Sequence, residues 1–463
     1  MKLLIKNITQ SKMRYLSFVL VFFYQVSFSQ DTLTYKQFLE LVTTFHPTAQ
    51  RAALQGQMGD AIVRFARGNF DPVVQSKMKE KYFQDKHYYT LFNSEVSIPT
   101  ITGIELKGGY GDNAGIFLNP ENYTPTQGTG YVGVKVPLGS GMFTDENRAG
   151  LKMAQQQKLQ QEATAELTLN DLLLDASLAY WDWYKYHYTA ENLFQATQFS
   201  AERFNFVKQE FQVGESAAND TLKAFVQWQD RYQSFFEANR NAVEAFLVMN
   251  TYLWDDTLLL KQGLLPESIS FSNHFGFIMD TTSLNEEHPS LKYYEAKRME
   301  AIAGKRLKAE KLKPKLNLEY SLLSQGVLPE FGGLGDNQIW GLSFEFPLLI
   351  RSERAGLQMA KIKIQDSQLM YDLKQRELTN KLSNQYKQSS LLKEQLITLE
   401  QSIAAYTRLV SAEQLKYRMG ESTLFELNSW EQKMIDNQNK YLSLSSKYAT
   451  SNAKVKWIQA NWE

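Results

Sequence analysis

The chain has no cysteine among its 463 residues. That excludes a disulfide scaffold, a thiolate metal centre and a cysteine nucleophile, and it leaves no thiol for a lipid anchor. Net charge is absent as well, since 50 Lys+Arg balance 50 Asp+Glu. A partner such as nucleic acid, held by bulk electrostatics, is therefore not expected. The five histidines (His46, His87, His187, His274, His288) are scattered, without a His-Glu-x-x-His motif, so no metal is expected. Phosphate-loop, Gly-x-Ser-x-Gly and Cys-x-x-Cys motifs are missing too. No convergent catalytic set is present, so the chain reads as a non-enzyme without a cofactor, and any energy must come from a partner. Beyond the first residues there is no apolar run long enough for a transmembrane helix. Entry into a membrane would require a closed β-barrel.

What is present begins with an address. Lys2, Lys6, Lys12 and Arg14 precede an apolar stretch from Tyr15 to Val26, and Ser27 and Ser29 stand before Gln30. Residues 1–29 have the layout of a secretory signal peptide. The rival reading, a membrane anchor, needs a longer apolar run of ~20 residues. The leader carries four basic residues and no acid, so a mature chain starting at Gln30 would be four charges negative. With 43% hydrophobic and 13% aromatic residues, the remainder can fold.

Length suggests about three domains, but an internal repeat points elsewhere. His46-Pro47 and Pro72 recur as His288-Pro289 and Pro314, at an offset of 242. Arg148-Ala149-Gly150-Leu151-Lys152-Met153-Ala154 recurs as Arg354-Ala355-Gly356-Leu357-Gln358-Met359-Ala360, at an offset of 206. Val213-Gly214-Glu215-Ser216 recurs as Met419-Gly420-Glu421-Ser422, again at 206. The offset changes because the first half has 36 more residues between Pro72 and Arg148.

The 66-residue intervals from Arg148 to Gly214 and from Arg354 to Gly420 lack proline and are rich in Gln, Leu, Ala, Glu and Lys. Leu396, Leu399, Ile403, Tyr406 and Val410 follow a 3, 4, 3, 4 spacing, a coiled-coil seam. In the first copy, Leu159, Ala163, Leu167, Leu174, Leu178 and Trp181 are expected to hold one face. Each interval would be a helix of roughly 100 Å at ~1.5 Å per residue. Gly214 and Gly420 read as turns before returning helices. Segments 74–83, 88–98, 102–110 and 130–137, and two more on either side of a Gly-rich loop at 326–337, alternate as strands do. A small hairpin is marginal alone and needs other chains to complete its sheet.

The organisation expected is thus a signal peptide (1–29), a first repeat (30–265) and a linker with a second repeat (266–463). The first repeat holds a helix, β-segments 73–138, a long helix 145–213 and a return helix 217–254. The second holds a helix 290–313, β-segments 315–347, a long helix 352–419 and a return helix 423–460. The fold class is mainly α with β, in a twofold-repeated protomer of long coiled-coil α-hairpins plus β-hairpins.

This doubled order resembles the TolC-like outer-membrane efflux proteins, over essentially the whole mature chain. The Ser-Phe-Ser-Gln leader end and the Asn-Pro-Glu-Asn-Tyr loop are similar to its Bacteroidetes branch. The resemblance implies a homotrimer in the cell outer membrane, with four strands per protomer in a twelve-stranded barrel and an α-helical tunnel in the periplasm. Of the first-half strand segments, only two would then lie in the membrane, the others extending or capping the barrel. It implies an exit duct of a tripartite efflux or type I secretion system, working with a periplasmic adaptor (membrane fusion) protein and an inner-membrane pump.

The resemblance also implies a gate at the tips. Glu426 matches a pore-constricting acid, and Asp220 is its counterpart in the first half. Threefold symmetry would bring such carboxylates into a ring that favours cations. A second family acid is replaced by Ser429, and a lock arginine by Ser422. Tyr417 matches a tyrosine that bonds the first-half acid, which here would pair it with Asp220. The tips Gly214, Glu215, Ser216 and Gly420, Glu421, Ser422 would dock the adaptor. The plain alternatives are a helix-start acid favoured by the dipole and a helix C-cap glycine. The run Tyr180–Tyr188 suggests aromatic packing more than a carbohydrate platform. Two rival classes stay open: a periplasmic adaptor, or a coiled-coil scaffold without a channel.

Overall fold

The computed structural model describes residues 32–254, 264–269, 287–326 and 337–462. The leader, much of the linker after 266 and nearly all of the Gly-rich loop lie outside these residues. In chain order the elements are β1 (Thr32–Leu33), α1 (Tyr35–Phe45), α2 (Pro47–Arg67), β2 (Val73–Phe83), β3 (Lys86–Pro99), β4 (Glu105–Ala114) and β5 (Thr129–Pro137). Then come α3 (Glu146–Gln212), α4 (Ala218–Asn250), β6 (Leu265–Pro266), α5 (Pro289–Glu310), β7 (Lys315–Gln325), β8 (Gln338–Glu345), α6 (Arg351–Arg418) and α7 (Leu424–Gln459).

Local chemistry sets the helix boundaries. Thr34 and Gln37 form a capping box ahead of α1, each side chain accepting from the other's backbone N–H at 3.2 Å. α1 stops at His46 because Pro47 follows, and that proline opens α2, where no amide donor is needed. α5 repeats the device: Pro289 is its first residue, and His288 Nδ1 accepts from the Ser290 N–H at 3.1 Å. α2 and α5 end before Pro72 and Pro314, and strands follow. Without an internal proline, α3 and α6 run unbroken for 67 and 68 residues.

The chain divides into two compact units. The first contains α1, α3 from Ala176, α4, α6 from Leu392, most of α7, and the parallel β1–β6 pair. Its core is aromatic. Tyr180 and Trp181 pack on Tyr35 with ring centroids 5.4 and 5.0 Å apart, and the Tyr180 hydroxyl donates to the Leu33 carbonyl at 2.8 Å. The Tyr188 hydroxyl donates to the Pro266 carbonyl at 2.9 Å, so the aromatic run ties both short strands to α3. Trp181 and Trp183 are almost fully buried, which makes the run a packing element. Along the seam of α6, Leu396, Leu399 and Val410 are buried.

The second unit contains α2, α5, the first part of α3, α6 up to Leu391, the end of α7 and the main sheet. Here the seam expected from Leu159 onward is only partly the buried face. Ala163 is buried but Leu159 is 47% exposed, and burial near the end of this stretch shifts to Leu172 and Leu173. A helix flanked by neighbours on several sides buries more than one stripe.

The main sheet has six antiparallel strands in the order β2-β3-β4-β5-β7-β8. The resemblance implied four per protomer; here all four first-half segments and both second-half segments share one hydrogen-bonded sheet. Because paired residues share a face, the register sorts the side chains into two sets. Trp340, Tyr320, Val134, Leu106 and Ile98 form one row, and Leu322, Val132, Gly108, Val96 and Val74 the next on the same face. The opposite face carries Glu319, Lys135 and Glu105 in one row and Lys107 in the next. There, Lys135 Nζ lies 3.9 Å from Glu105 and 3.5 Å from Glu319, and Lys107 Nζ 3.7 Å from Glu319. The apolar face is the open one: Trp340 is 67% exposed and Val74 68%. On the central strands the charged side chains are the more sheltered, Lys107 being 20% exposed, whereas at the β7–β8 end of that face Lys315 and Glu345 are open.

Candidate functional site

The candidate site lies in the first compact unit, where α3 turns into α4 and α6 turns into α7. Both turns have the same backbone. Gly214 has φ +81° and Gly420 has φ +76°, a region glycine enters without a Cβ penalty. The Gly214 N–H donates to the Phe211 carbonyl at 3.1 Å and the Glu215 N–H to the Glu210 carbonyl at 2.9 Å. The Gly420 N–H donates to the Tyr417 carbonyl at 3.1 Å and the Glu421 N–H to the Lys416 carbonyl at 2.9 Å. Each is a Schellman closure, which satisfies carbonyls that a helix end leaves unpaired. Glu215 and Glu421 are exposed, and Ser216 is partly buried.

The two acids follow these turns in the first turn of a return helix, where the dipole favours negative charge. Asp220 pairs with Lys223 Nζ at 3.0 Å, one helical turn on. It makes no hydrogen bond with Tyr417. That tyrosine instead packs against the apolar cluster of Val207, Ala224 and Leu424. Burial pushes the Tyr417 phenol pKa up; the charge of Glu210 adds to this, Arg203 opposes it, and Asp220 contributes at longer range. The resemblance placed the tyrosine in a hydrogen bond to the acid, whereas this structure uses it as a packing residue.

Glu426 is held differently. Its N–H donates to the Thr423 hydroxyl at 3.2 Å, an N-cap. Its Oε2 lies 3.2 Å from the Ser422 hydroxyl, which also contacts Glu413 Oε1. Ser422, where the resemblance implied an arginine in other members, therefore links a carboxylate on α6 to one on α7. A hydroxyl has one proton to give, so it serves one carboxylate at a time.

Sequence reasoning missed the group that braces this end of the unit. Arg203 on α3 makes a two-pronged bond to Glu431 on α7, with Nη1 2.8 Å from Oε2 and Nη2 on Oε1. Nη1 also donates to Asn428 Oδ1 at 2.7 Å. Both charged side chains are close to nine-tenths buried, so losing either partner would strand a charge. Arg203 and Glu431 are 228 residues apart, and no spacing rule connects them. Glu413, also buried, was missed for the same reason. Beside the turns, an open groove of about 680 Å³ runs along α4 and α7, lined by Leu222, Val226, Phe425 and Asn428 among others.

Among the described residues no helix is long and apolar enough to cross a membrane, and no cluster of His, Asp and Glu has the makings of a metal site. Residues 282–458 match the family model described as outer membrane efflux protein. Over those residues, in the second half of the chain, the sequence is that of an outer membrane efflux protein. No curated protein matches it in sequence. Solved structures match its fold. The CmeC outer membrane channel of Campylobacter jejuni is 11% identical, with 92% of this chain and 85% of that one covered and a TM-score of 0.67. The outer membrane protein VceC of Vibrio cholerae is 12% identical, covering 93% and 97%, with a TM-score of 0.64. The Neisseria gonorrhoeae MtrE channel, solved in its open state, is 14% identical, covering 92% and 89%, with a TM-score of 0.64. At these identities the likeness is one of fold. The family match and the shared fold together support an exit duct of the outer membrane, a transport channel rather than an enzyme. The two rival classes, adaptor and scaffold, are set aside.

Proposed function

We propose that three copies of this efflux protein join their sheets into one barrel and their helices into a periplasmic tunnel, closed at the α3–α4 and α6–α7 turns. The sheet supports the barrel: over its central strands the open face is apolar and the sheltered face charged, the reverse of a soluble sheet and the pattern of an outer-membrane wall. Open edges are not tolerated in lipid, so a single copy cannot be the working form. An inner-membrane pump and a periplasmic adaptor would deliver substrate to the tunnel. The groove along α4 and α7, with Gly214, Glu215, Ser216, Gly420, Glu421 and Ser422 beside it, suits the apolar edge of an adaptor helix hairpin.

The observation that carries the gate is the matched pair of turns, each placing an acid in the following helix turn. In a trimer, Asp220 and Glu426 form rings of three carboxylates, and Tyr417 keeps the intervening wall packed. The rings select cations by charge alone. The Asp220→Asn/Glu426→Gln variant, recorded in planar bilayers, is expected to lose most of its preference for K⁺ over Cl⁻ under a salt gradient. An unchanged reversal potential would remove both acids from the pore.

A further inference from the structure

We propose that each protomer contributes all six strands to the membrane wall, with β8 of one copy pairing to β2 of the next, so that a trimer closes eighteen strands rather than twelve. The proposal rests on the trimeric reading above and changes what the trimer is made of. A twelve-stranded wall would need either the β2–β3 hairpin to leave, breaking the β3–β4 ladder from Thr90↔Ala114 to Pro99↔Glu105, or the β3–β4 hairpin to leave and β2 to pair directly with β5. The structure opposes either departure in three ways.

The first is the ladder itself. β3 pairs with β2 from Val73↔Ser97 to Phe83↔Lys86, and β4 pairs with β5 from Glu105↔Lys135 to Gly111↔Thr129. Expelling the β3–β4 hairpin breaks both ladders. The second is the charged face. Lys135 and Glu319 each have a partner on β4, and Lys107 reaches over β5 to Glu319. Tyr131 on β5 lies across Gly109 on β4, where a Cβ would come within 2.5 Å of its ring. Its hydroxyl then donates to Glu95 on β3 at 2.6 Å. The absence of a side chain at Gly109 is what lets one tyrosine join three strands. Without the β3–β4 hairpin, this set loses its partners.

The third is the apolar face, which runs without interruption through the disputed strands. Ile98 and Leu106 share a row with Val134 and Trp340; Val96 joins Val74 to Val132. The apolar positions also climb across the sheet. On β7 and β8 they extend through Leu316↔Phe344, whereas on β2 and β3 they resume the other way, beyond the Ser76↔Ser94 pair, at Met78↔Phe92. Such a stagger is what tilted strands in a closed barrel produce.

What remains unpaired within the sheet is the outer edge of β2 and that of β8, and every residue of both strands is exposed. With six alternating strands, β2 and β8 run in opposite directions, so an edge of one copy meets the next as an antiparallel pair. Eighteen is an even number of antiparallel strands, as bacterial outer-membrane barrels require.

Disulfide mapping tests this in a chain with no cysteine of its own. Three sets of variants are expressed in cells, and outer membranes are oxidised with copper phenanthroline. Leu106→Cys/Val134→Cys is expected to link within one chain. Val74→Cys paired with Val132→Cys or Val134→Cys is expected to stay free. Three strand spacings separate those strands, about 14 Å, and a disulfide spans no more than ~7 Å between Cα atoms. Val74→Cys combined with Trp340→Cys, Leu342→Cys or Phe344→Cys is expected to give chain-to-chain products in at least one register. A membrane trimer in which Val74 links to β5 while Leu106 and Val134 stay free overturns the eighteen-stranded wall alone. So does a membrane trimer with no β8-to-β2 product in any register. A chain recovered as a soluble monomer overturns the trimeric channel itself, and this proposal with it.

Discussion

His288 is 4% exposed, at the start of α5, with Nδ1 committed to the Ser290 N–H. Accepting that bond requires a neutral imidazole. Burial, with the nearby Lys374 charge, lowers its pKa from 6.5 to about 4. The unfolded chain therefore binds a proton near pH 6.5 that the folded chain refuses until about pH 4. Stability is fully present above the unfolded value, falls as pH drops through that window, and levels off below it. The span corresponds to up to ~3 kcal/mol. His288→Asn keeps a side-chain acceptor at the N-cap and removes the titration. Thermal unfolding in detergent should show wild type losing several degrees between about pH 7 and pH 4.5. The variant should lose distinctly less, and equal acid losses would assign the sensitivity to other groups. His288 was visible in the sequence as a residue before a proline. Its burial was not, because that depends on helices supplied by distant parts of the chain.

At the scale of elements, the two tip turns carry a matched prediction. Gly214 and Gly420 have positive φ, and a Cβ at either would meet nothing within 4 Å. A substitution there costs backbone strain and no clash. Gly214→Ala and Gly420→Ala are each expected to destabilise by about 1 kcal/mol. The double variant should lose about twice that if the turns act independently. Denaturant titration of the three variants measures it; a single variant with no loss would mean that its turn relaxes into another closure. The tips were legible because a glycine after a long proline-free run admits few other roles. The long helices were legible for a related reason: residues 148–214 offer no helix breaker stronger than a lone glycine. The bond between Arg203 and Glu431 was illegible, since it is made by two helices whose alignment no local pattern records. Strand membership was partly legible. Alternation marks Tyr131 to Val136 as a strand, yet alternation says nothing about which neighbour that strand pairs with. The register that places Tyr131 over Gly109 and against Glu95 is a property of the assembled sheet.

At the scale of the whole molecule, the proposed barrel would account for two features together: no described helix is long and apolar enough to cross a membrane, and the charges balance. A chain that enters lipid by strands spreads its apolar residues over alternate positions, so no long run appears in the sequence, and its polar residues line the other face. Neighbouring residues on one strand should then respond in opposite ways to the same change. Leu342 and Ser343 are adjacent on β8 and project to opposite faces: Leu342 pairs with Leu318 in the apolar set, and Ser343 with Asn317 in the polar set. A lysine on the lipid side of a barrel costs ~2–4 kcal/mol near the bilayer centre. Three copies incur that cost together, a sum of about 6–12 kcal/mol, comparable to the whole stability margin of a typical protein. On the inner side the same lysine meets water and costs little. Leu342→Lys is therefore expected to deplete the heat-resistant trimer from outer-membrane fractions, while Ser343→Lys leaves its amount near wild type. Gel mobility of unheated and heated samples reads both results. Equal trimer from the two variants would mean that the apolar face of β8 does not meet lipid, and the reverse pattern would exchange the inner and outer faces of the sheet.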